Sequence, residues 1–267
     1  MTEPPKTEKV ELDFSDGWLT VWFNTPENRN ALSDELAGEL RATLEAVQDN
    51  ATVRGVTLRG RGGVFCAGGD LKGFQAALTG GLTHDAASTM NKAGGELFRL
   101  INEFPKVVVV LIEGATIAGG LGLACCADIV ATTRDAKFAL TETQLGIVPA
   151  QIAPHVIRRV GETAARRLML TGARFDGEEA ARLGVADFLV DDATDLDAVE
   201  ADIRKAVRKC APGANAATKK LVLASTHLNA DEIIDRAADV FAGCITSDEG
   251  REGISAFVQK RKPNWAE

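Results

Sequence analysis

Residues 106–148 read KVVVVLIEGATIAGGLGLACCADIVATTRDAKFALTETQLGIV, and the order of residue types in this stretch decides the fold. Four valines at 107–110 suit a strand covered on both faces, since successive side chains point to opposite sides. The glycine-rich turn Ala118-Gly119-Gly120-Leu121-Gly122 follows, then small residues at 123–127 and a second β-branched run at 129–133. Glycine straight after a buried strand lets another backbone or a ligand approach closely. If Gly119 and Gly120 open a helix, their N–H groups lack intrahelical partners and suit an anion or a developing oxyanion. Taken alone, such a turn serves tight packing just as well.

A second turn of the same kind lies upstream. Val56-Thr57-Leu58-Arg59 is a short strand, Gly60-Arg61-Gly62-Gly63 a turn, and FCAGGDLK follows at 65–72. Two loops, each aiming one peptide N–H at a single carbonyl oxygen, make an oxyanion hole without any polar side chain.

Working outward, residues 1–9 read as a loose polar tail. Val10, Leu12 and Phe14 alternate with polar residues as in an edge strand, and Ser15-Asp16-Gly17 turns into a hairpin partner carrying Leu19, Val21 and Phe23. Ser33 is a good N-cap for an amphipathic helix over 34–50, with Leu36, Leu40, Leu44 and Val47 on one face. Residues 53–59 form the next strand. Strand–helix units recur at 97–110 and 121–133, so the fold class is α/β with mostly parallel strands. Residues 72–90 carry Gly73, Gly80 and Gly81 and keep no clear period; a ligand-covering loop and an irregular helix are equal readings. From Ala153 the character turns helical: Gly172 is a natural C-cap, 177–182 is a short helix, 185–190 a last strand, and 196–210, 214–224 and 231–246 are helices.

Composition bounds the function. The chain has 267 residues, a net charge of −8 and 45% hydrophobic residues, which fits an ordinary globular enzyme and argues against a nucleic-acid partner. The five cysteines show no CxxC spacing and read as reduced thiols, so a cytoplasmic location is expected, with no metal site at Cys125-Cys126. No apolar stretch reaches membrane-spanning length, so no membrane partner is expected. Neither a phosphate-binding glycine motif nor a GxSxG elbow is present.

FCAGGDLKGF at 65–74 and IAGGLGLACCADI at 117–129 resemble the two signature loops of the crotonase (enoyl-CoA hydratase/isomerase) superfamily. The resemblance extends through PENRNALS at 26–33, the segments beginning PAQIAPHV at 149 and FDGEEAARLGVAD at 175, and the tail EGISAFVQKRKPNW from 252. It implies a spiral ββα core over 1–205 and a helical oligomerisation region over 206–267, building a homotrimer or a dimer of trimers. The expected ligand is an acyl-CoA thioester; coenzyme A is then part of the substrate, and no separate cofactor is needed.

The resemblance also assigns residues. Gly69 and Gly119 fall at the two oxyanion donors. The best-known hydratases of the family use two glutamates; one position is Gly122 here, and the other is Glu142. By itself Glu142 reads as a solvated loop carboxylate; the resemblance makes it the general acid/base. One carboxylate serves hydration or a 1,3-proton shift, so a Δ3,Δ2-enoyl-CoA isomerase stays open, as does a non-catalytic CoA- or RNA-binding relative. Dehalogenase relatives carry an aspartate where this chain has Ala150. Asp128 reads as structural. CoA contacts are expected from Arg29, Ala67, Gly68, Asp70, Leu71, Lys72 and Gly120, and from Phe257 and Lys260, these two in the chain's own site or a neighbouring subunit's. In finer detail the chain looks similar to bacterial hydratases of methylglutaconyl- and isohexenylglutaconyl-CoA. A second substrate carboxylate would then meet Gln151, His155 or Arg158, although Arg158 reads equally as solvated and His155 as packed.

Overall fold

The computed structural model describes residues 5–266. In chain order the elements are β1 (Val10–Ser15), β2 (Trp18–Phe23), α1 (Asp34–Val47), β3 (Gly55–Gly60), α2 (Leu71–Thr79), α3 (His84–Glu103), β4 (Val107–Ile112), β5 (Ala115–Ile117), α4 (Gly119–Cys126), β6 (Ile129–Thr133), β7 (Lys137–Ala139), α5 (Ala153–Thr171), β8 (Arg174–Asp176), α6 (Gly177–Leu183), β9 (Phe188–Val190) and α7 (Asp195–Arg208). Three helices close the chain: α8 (Pro212–Ala224), α9 (Ala230–Thr246) and α10 (Asp248–Val258).

Six strands form one sheet in the order β1-β2-β3-β4-β6-β9, parallel except for the β1–β2 hairpin. A smaller sheet, β5-β7-β8, stands beside it. Two successive turns of the spiral each give one strand to each sheet and then a helix: β4-β5-α4, then β6-β7-α5. This is the α/β, ββα spiral expected from the sequence.

The valine run shows why. Val108, Val110 and Ile112 face the main core, while Val109 and Leu111 face a second cluster with Trp18, Leu196 and Ile203 under α7. A strand with a core on each side needs apolar residues at every position. Polar bonds fasten α7 to that second face. Trp18 Nε1 donates to Thr57 Oγ1 at 2.8 Å, Thr57 donates in turn to Glu200, and Arg204 bridges Glu200 at 2.7 Å and Thr20 at 2.8 Å. The division expected at 205/206 falls inside α7.

Three readings need correction. Residues 72–90 are neither a loop nor one irregular helix. They form α2 and the start of α3, broken at Gly80-Gly81, and Thr83 caps α3 by accepting from Ala86 N at 3.2 Å. The last strand begins at Phe188 rather than 185. Helix α10 and the three-residue strands β5, β7 and β8 were not foreseen. Ser33 does cap α1, accepting from Leu36 N at 3.2 Å.

Candidate active site

The loop after β3 is zipped onto the loop after β4. Phe65 N donates to Glu113 O at 3.0 Å, Cys66 N to Ala115 O at 3.1 Å, and Ile117 N to Cys66 O at 2.9 Å. The two backbones then meet with no room between them. A Cβ at Gly120 would stand 2.5 Å from Cys66 O, and one at Gly68, where φ is +95°, would stand 2.9 Å from Ala118 Cβ. Only glycine fits both demands.

This contact sets the expected oxyanion donors side by side. Gly69 N lies 3.9 Å from the position a Cβ on Gly119 would take. Among the described residues neither the Gly69 nor the Gly119 amide donates a hydrogen bond. Gly119 is the first residue of α4, where the helix dipole adds positive potential. Its peptide is turned by Ala118, a non-glycine residue at φ 49° and ψ −116°. Such a conformation persists only where its surroundings enforce it. Here Ala118 N donates to Ala139 O at 2.8 Å, and Gly122 N donates to Ala118 O at 3.0 Å.

Glu142 opens a 3-10 turn, Glu142–Leu145, that follows β7. Thr143 Oγ1 bonds Met169 O at 2.9 Å and Gln144 Nε2 bonds Gly172 O at 3.3 Å, fixing the turn to the end of α5. The Glu142 side chain is buried, and its Oε2 has no hydrogen-bond partner among the described residues. Burial pushes its pKa up, with a backbone hydrogen bond partly opposing. Glu142, Gly69 and Gly119 line one cavity of ≈ 930 Å³, whose walls include Phe74, Leu97, Phe98 and Ile152. A carbonyl held by two free amides beside a desolvated carboxylate has what enolate chemistry needs.

The position of the absent second glutamate is closed. A Cβ on Gly122 would lie 2.2 Å from Ile152 Cγ2 and 3.2 Å from Phe98 Cε1. An apolar side chain stands where the family pattern would lead to a carboxylate.

The other expected contacts divide. Ala67 and Leu71 line the cavity. Gly68 and Gly120 lie behind it as the loop contact described above. Asp70 caps α2, accepting from Lys72 N at 3.1 Å, and the Lys72 side chain is exposed outside the cavity lining. Arg29 accepts from Ala67 N at 3.0 Å through its backbone carbonyl and so braces the first loop; its side chain is exposed. Phe257 and Lys260 are exposed at the end of α10 and do not line this cavity. Asp128 is structural, accepting from Val108 N at 2.7 Å and pairing with Lys219 Nζ at 2.6 Å.

Of the three residues suggested for a polar acyl end, only Gln151 faces the cavity. Arg158 is exposed, bonds Asn102 Oδ1 at 3.2 Å and does not line the cavity. His155 packs against the Phe98 ring, and burial pushes its pKa down. Sequence reasoning missed Arg41 and Asn91, which line the cavity from α1 and α3. Arg41 gave no local signal, because α1 reads as an ordinary amphipathic surface helix.

Comparison with known proteins shows the family. The family described as enoyl-CoA hydratase/isomerase matches residues 13–267. A putative enoyl-CoA hydratase of Thermus thermophilus is 33% identical over 245 residues, covering 92% of this chain and 96% of that protein. Among solved structures, Pseudomonas aeruginosa AtuE superposes with a TM-score of 0.94 at 48% identity, covering 97% of this chain and 100% of that one. An enoyl-CoA hydratase/isomerase from Marinobacter aquaeolei gives 0.93 at 40% identity, covering 97% and 99%.

Proposed function

The chain belongs to the enoyl-CoA hydratase/isomerase family, and on that premise we propose that it adds water across the 2,3-double bond of an enoyl-CoA thioester. The observation that carries this is the pair of unengaged amides, Gly69 and Gly119, opening on the same cavity as the buried Glu142 carboxylate. The thioester oxygen accepts from both amides. Glu142 takes a proton from water as the water oxygen bonds to Cβ, and the π electrons move to the thioester oxygen as an enolate. The enolate then collapses, and Cα takes the proton back from Glu142. Losing one oxyanion donor costs about 3 kcal/mol of barrier.

The acyl group in this reading is a branched glutaconyl type. Support comes from the size of the cavity and from Gln151 among its lining residues. A second reading rests on Ile152, which leaves room for no carboxylate at position 122. With Glu142 as sole acid/base, the chain would move a proton from C2 to C4 as a Δ3,Δ2-enoyl-CoA isomerase. A CoA- or RNA-binding relative without turnover is the reading that the buried carboxylate disfavours.

The same proposal puts three copies together through the C-terminal helices, where Val222, Ile234, Phe241, Ile254 and Phe257 are exposed. It places the protein in the cytoplasm, where the five free thiols stay reduced. No described helix is long and apolar enough to cross a membrane.

Turnover on a panel of 2-enoyl- and 3-enoyl-CoA esters, wild type against Glu142→Gln, tests the proposal. Hydration that disappears in the variant supports it, and isomerisation without hydration replaces it with the second reading. Absence of both turnover and CoA binding refutes it.

A further inference from the structure

We propose that Arg41 on α1, with Asn91 on α3, holds a second carboxylate carried by the acyl chain; this deepens the hydratase reading and rests on it. Both residues line the cavity that contains Gly69, Gly119 and Glu142. Arg41 Nη2 donates to Ala93 O at 2.6 Å, which fixes the guanidinium against α3. Among the described residues no carboxylate pairs with Arg41, and its other donors are free. Asn91 Oδ1 accepts from Gln151 Nε2 at 2.7 Å, so its own NH₂ group remains available to donate.

Distance along α3 puts this pair where a diacid needs it. Phe98 Cζ lies 3.9 Å from the Cβ position of Gly119, so the C-terminal part of α3 abuts the oxyanion amides. Ala93 is five residues earlier, about 7 Å along the helix axis. An extended five-carbon diacid carries its far carboxylate ~5 Å from the thioester carbon, which leaves one hydrogen bond of ~3 Å to span.

Shape and charge agree. A Cβ built at Gly38 or at Gly94 meets nothing within 4 Å, so the groove between α1 and α3 stays open beside Arg41 and leaves room for a branch. The wall near it is otherwise small or apolar, with Ala37, Ala93 and Leu97. An unpaired guanidinium there offers an anion a charge-assisted, two-pronged partner. Asp34 and Asp85 also line the cavity, but they sit in the first turns of α1 and α3, where the helix dipoles favour them.

The test is calorimetric binding of glutaryl-CoA and pentanoyl-CoA, which differ only in the terminal carboxylate, to wild type, Arg41→Met and Arg41→Lys. Wild type is expected to prefer glutaryl-CoA by ~10- to 100-fold. Arg41→Met should bring that ratio near one, and Arg41→Lys should keep part of it, because lysine supplies charge without the fork. Equal affinities in wild type overturn the proposal. So does a loss in Arg41→Met that is the same for both ligands, which would place Arg41 on the coenzyme A portion. Because binding is read without turnover, failure to hydrate any enoyl-CoA overturns the hydratase reading, and absence of discrimination overturns the carboxylate site.

Discussion

Gly122→Ala would place a methyl carbon 2.2 Å from Ile152 Cγ2 and 2.8 Å from Ile152 Cβ, against an ordinary carbon–carbon approach of about 3.5–4 Å. Gly122 is buried in α4, and Ile152 is 4% exposed at the entry to α5, so neither can step aside into solvent. Overpacking of this kind costs about 1–3 kcal/mol. Ile152→Ala empties the same space and costs about 2–4 kcal/mol through lost burial and the cavity left behind. In the double variant the new methyl enters room that Ile152 has vacated, so the two costs should not add; their sum should exceed the measured loss by about 1 kcal/mol or more. The assay is equilibrium unfolding of all four proteins at one protein concentration, since assembly shifts apparent stability. Additivity within about 0.3 kcal/mol would refute the reasoning, because the two side chains would then not compete for one volume. Gly122→Glu extends the cycle to chemistry. Alone it should lose stability and activity, and only with Ile152→Ala should a second carboxylate enter the site.

Three further outcomes follow from named contacts. Glu142→Gln should lower kcat/KM by about 10²–10⁴ and should also stabilise the fold at neutral pH. The sign is fixed by the raised pKa: above the ordinary 4.5 the folded state holds a proton that the unfolded state has released, so stability falls as pH rises through that window. The variant's stability-against-pH curve should lack that fall, and the rising limb of the wild-type rate profile should lie above pH 4.5. Lys219→Met should cost about 3 kcal/mol, because Asp128 loses its 2.6 Å partner while burial already pushes its pKa up; chemical denaturation reads it, and a loss under 1 kcal/mol counts against the buried pair. Ala118→Gly should stabilise by about 1 kcal/mol, strain relief outweighing the added freedom of the unfolded chain, and a lower Tm would show that φ 49° is not strained there.

The valine run, the glycine turns and the capped helix α1 were readable because each rests on local period or on a backbone demand that only glycine meets. Strands β5, β7 and β8 were not, since three residues carry no period and each exists only through its partner. Helices α2 and α3 were obscured by interior glycines that do long-range work. Gly94 leaves open space beside the cavity, and Gly95 admits the Gln151 side chain, whose Oε1 would lie 2.4 Å from a Cβ there. Gly73, Gly80 and Gly81 broke the pattern over residues 72–90, although only Gly80-Gly81 separates helices there and Gly73 lies inside α2. Glu142 could be named only through resemblance to a family, because nothing near it in the chain says that its turn shares a cavity with the two glycine loops. Arg41 had no such help, as its neighbours in space lie some fifty residues away.

A single carboxylate raises the question of how one group both accepts a proton from water and returns it to carbon. Two fixed glutamates divide those tasks, each poised for one direction. One glutamate performs both only if its charged and neutral forms lie close in free energy while the substrate is bound. Desolvation moves Glu142 that way by disfavouring the carboxylate, and the unpartnered Oε2 leaves an oxygen free to take the proton. Ile152 contributes by what it excludes. With an apolar side chain filling the space beside Gly122, that wall of the cavity offers Glu142 no charge or hydrogen-bond donor to hold it ionised. The lost glutamate and the apolar residue in its place are therefore one change. In the proposed hydration, positioning the water then falls to Glu142 and the bound substrate rather than to a second carboxylate.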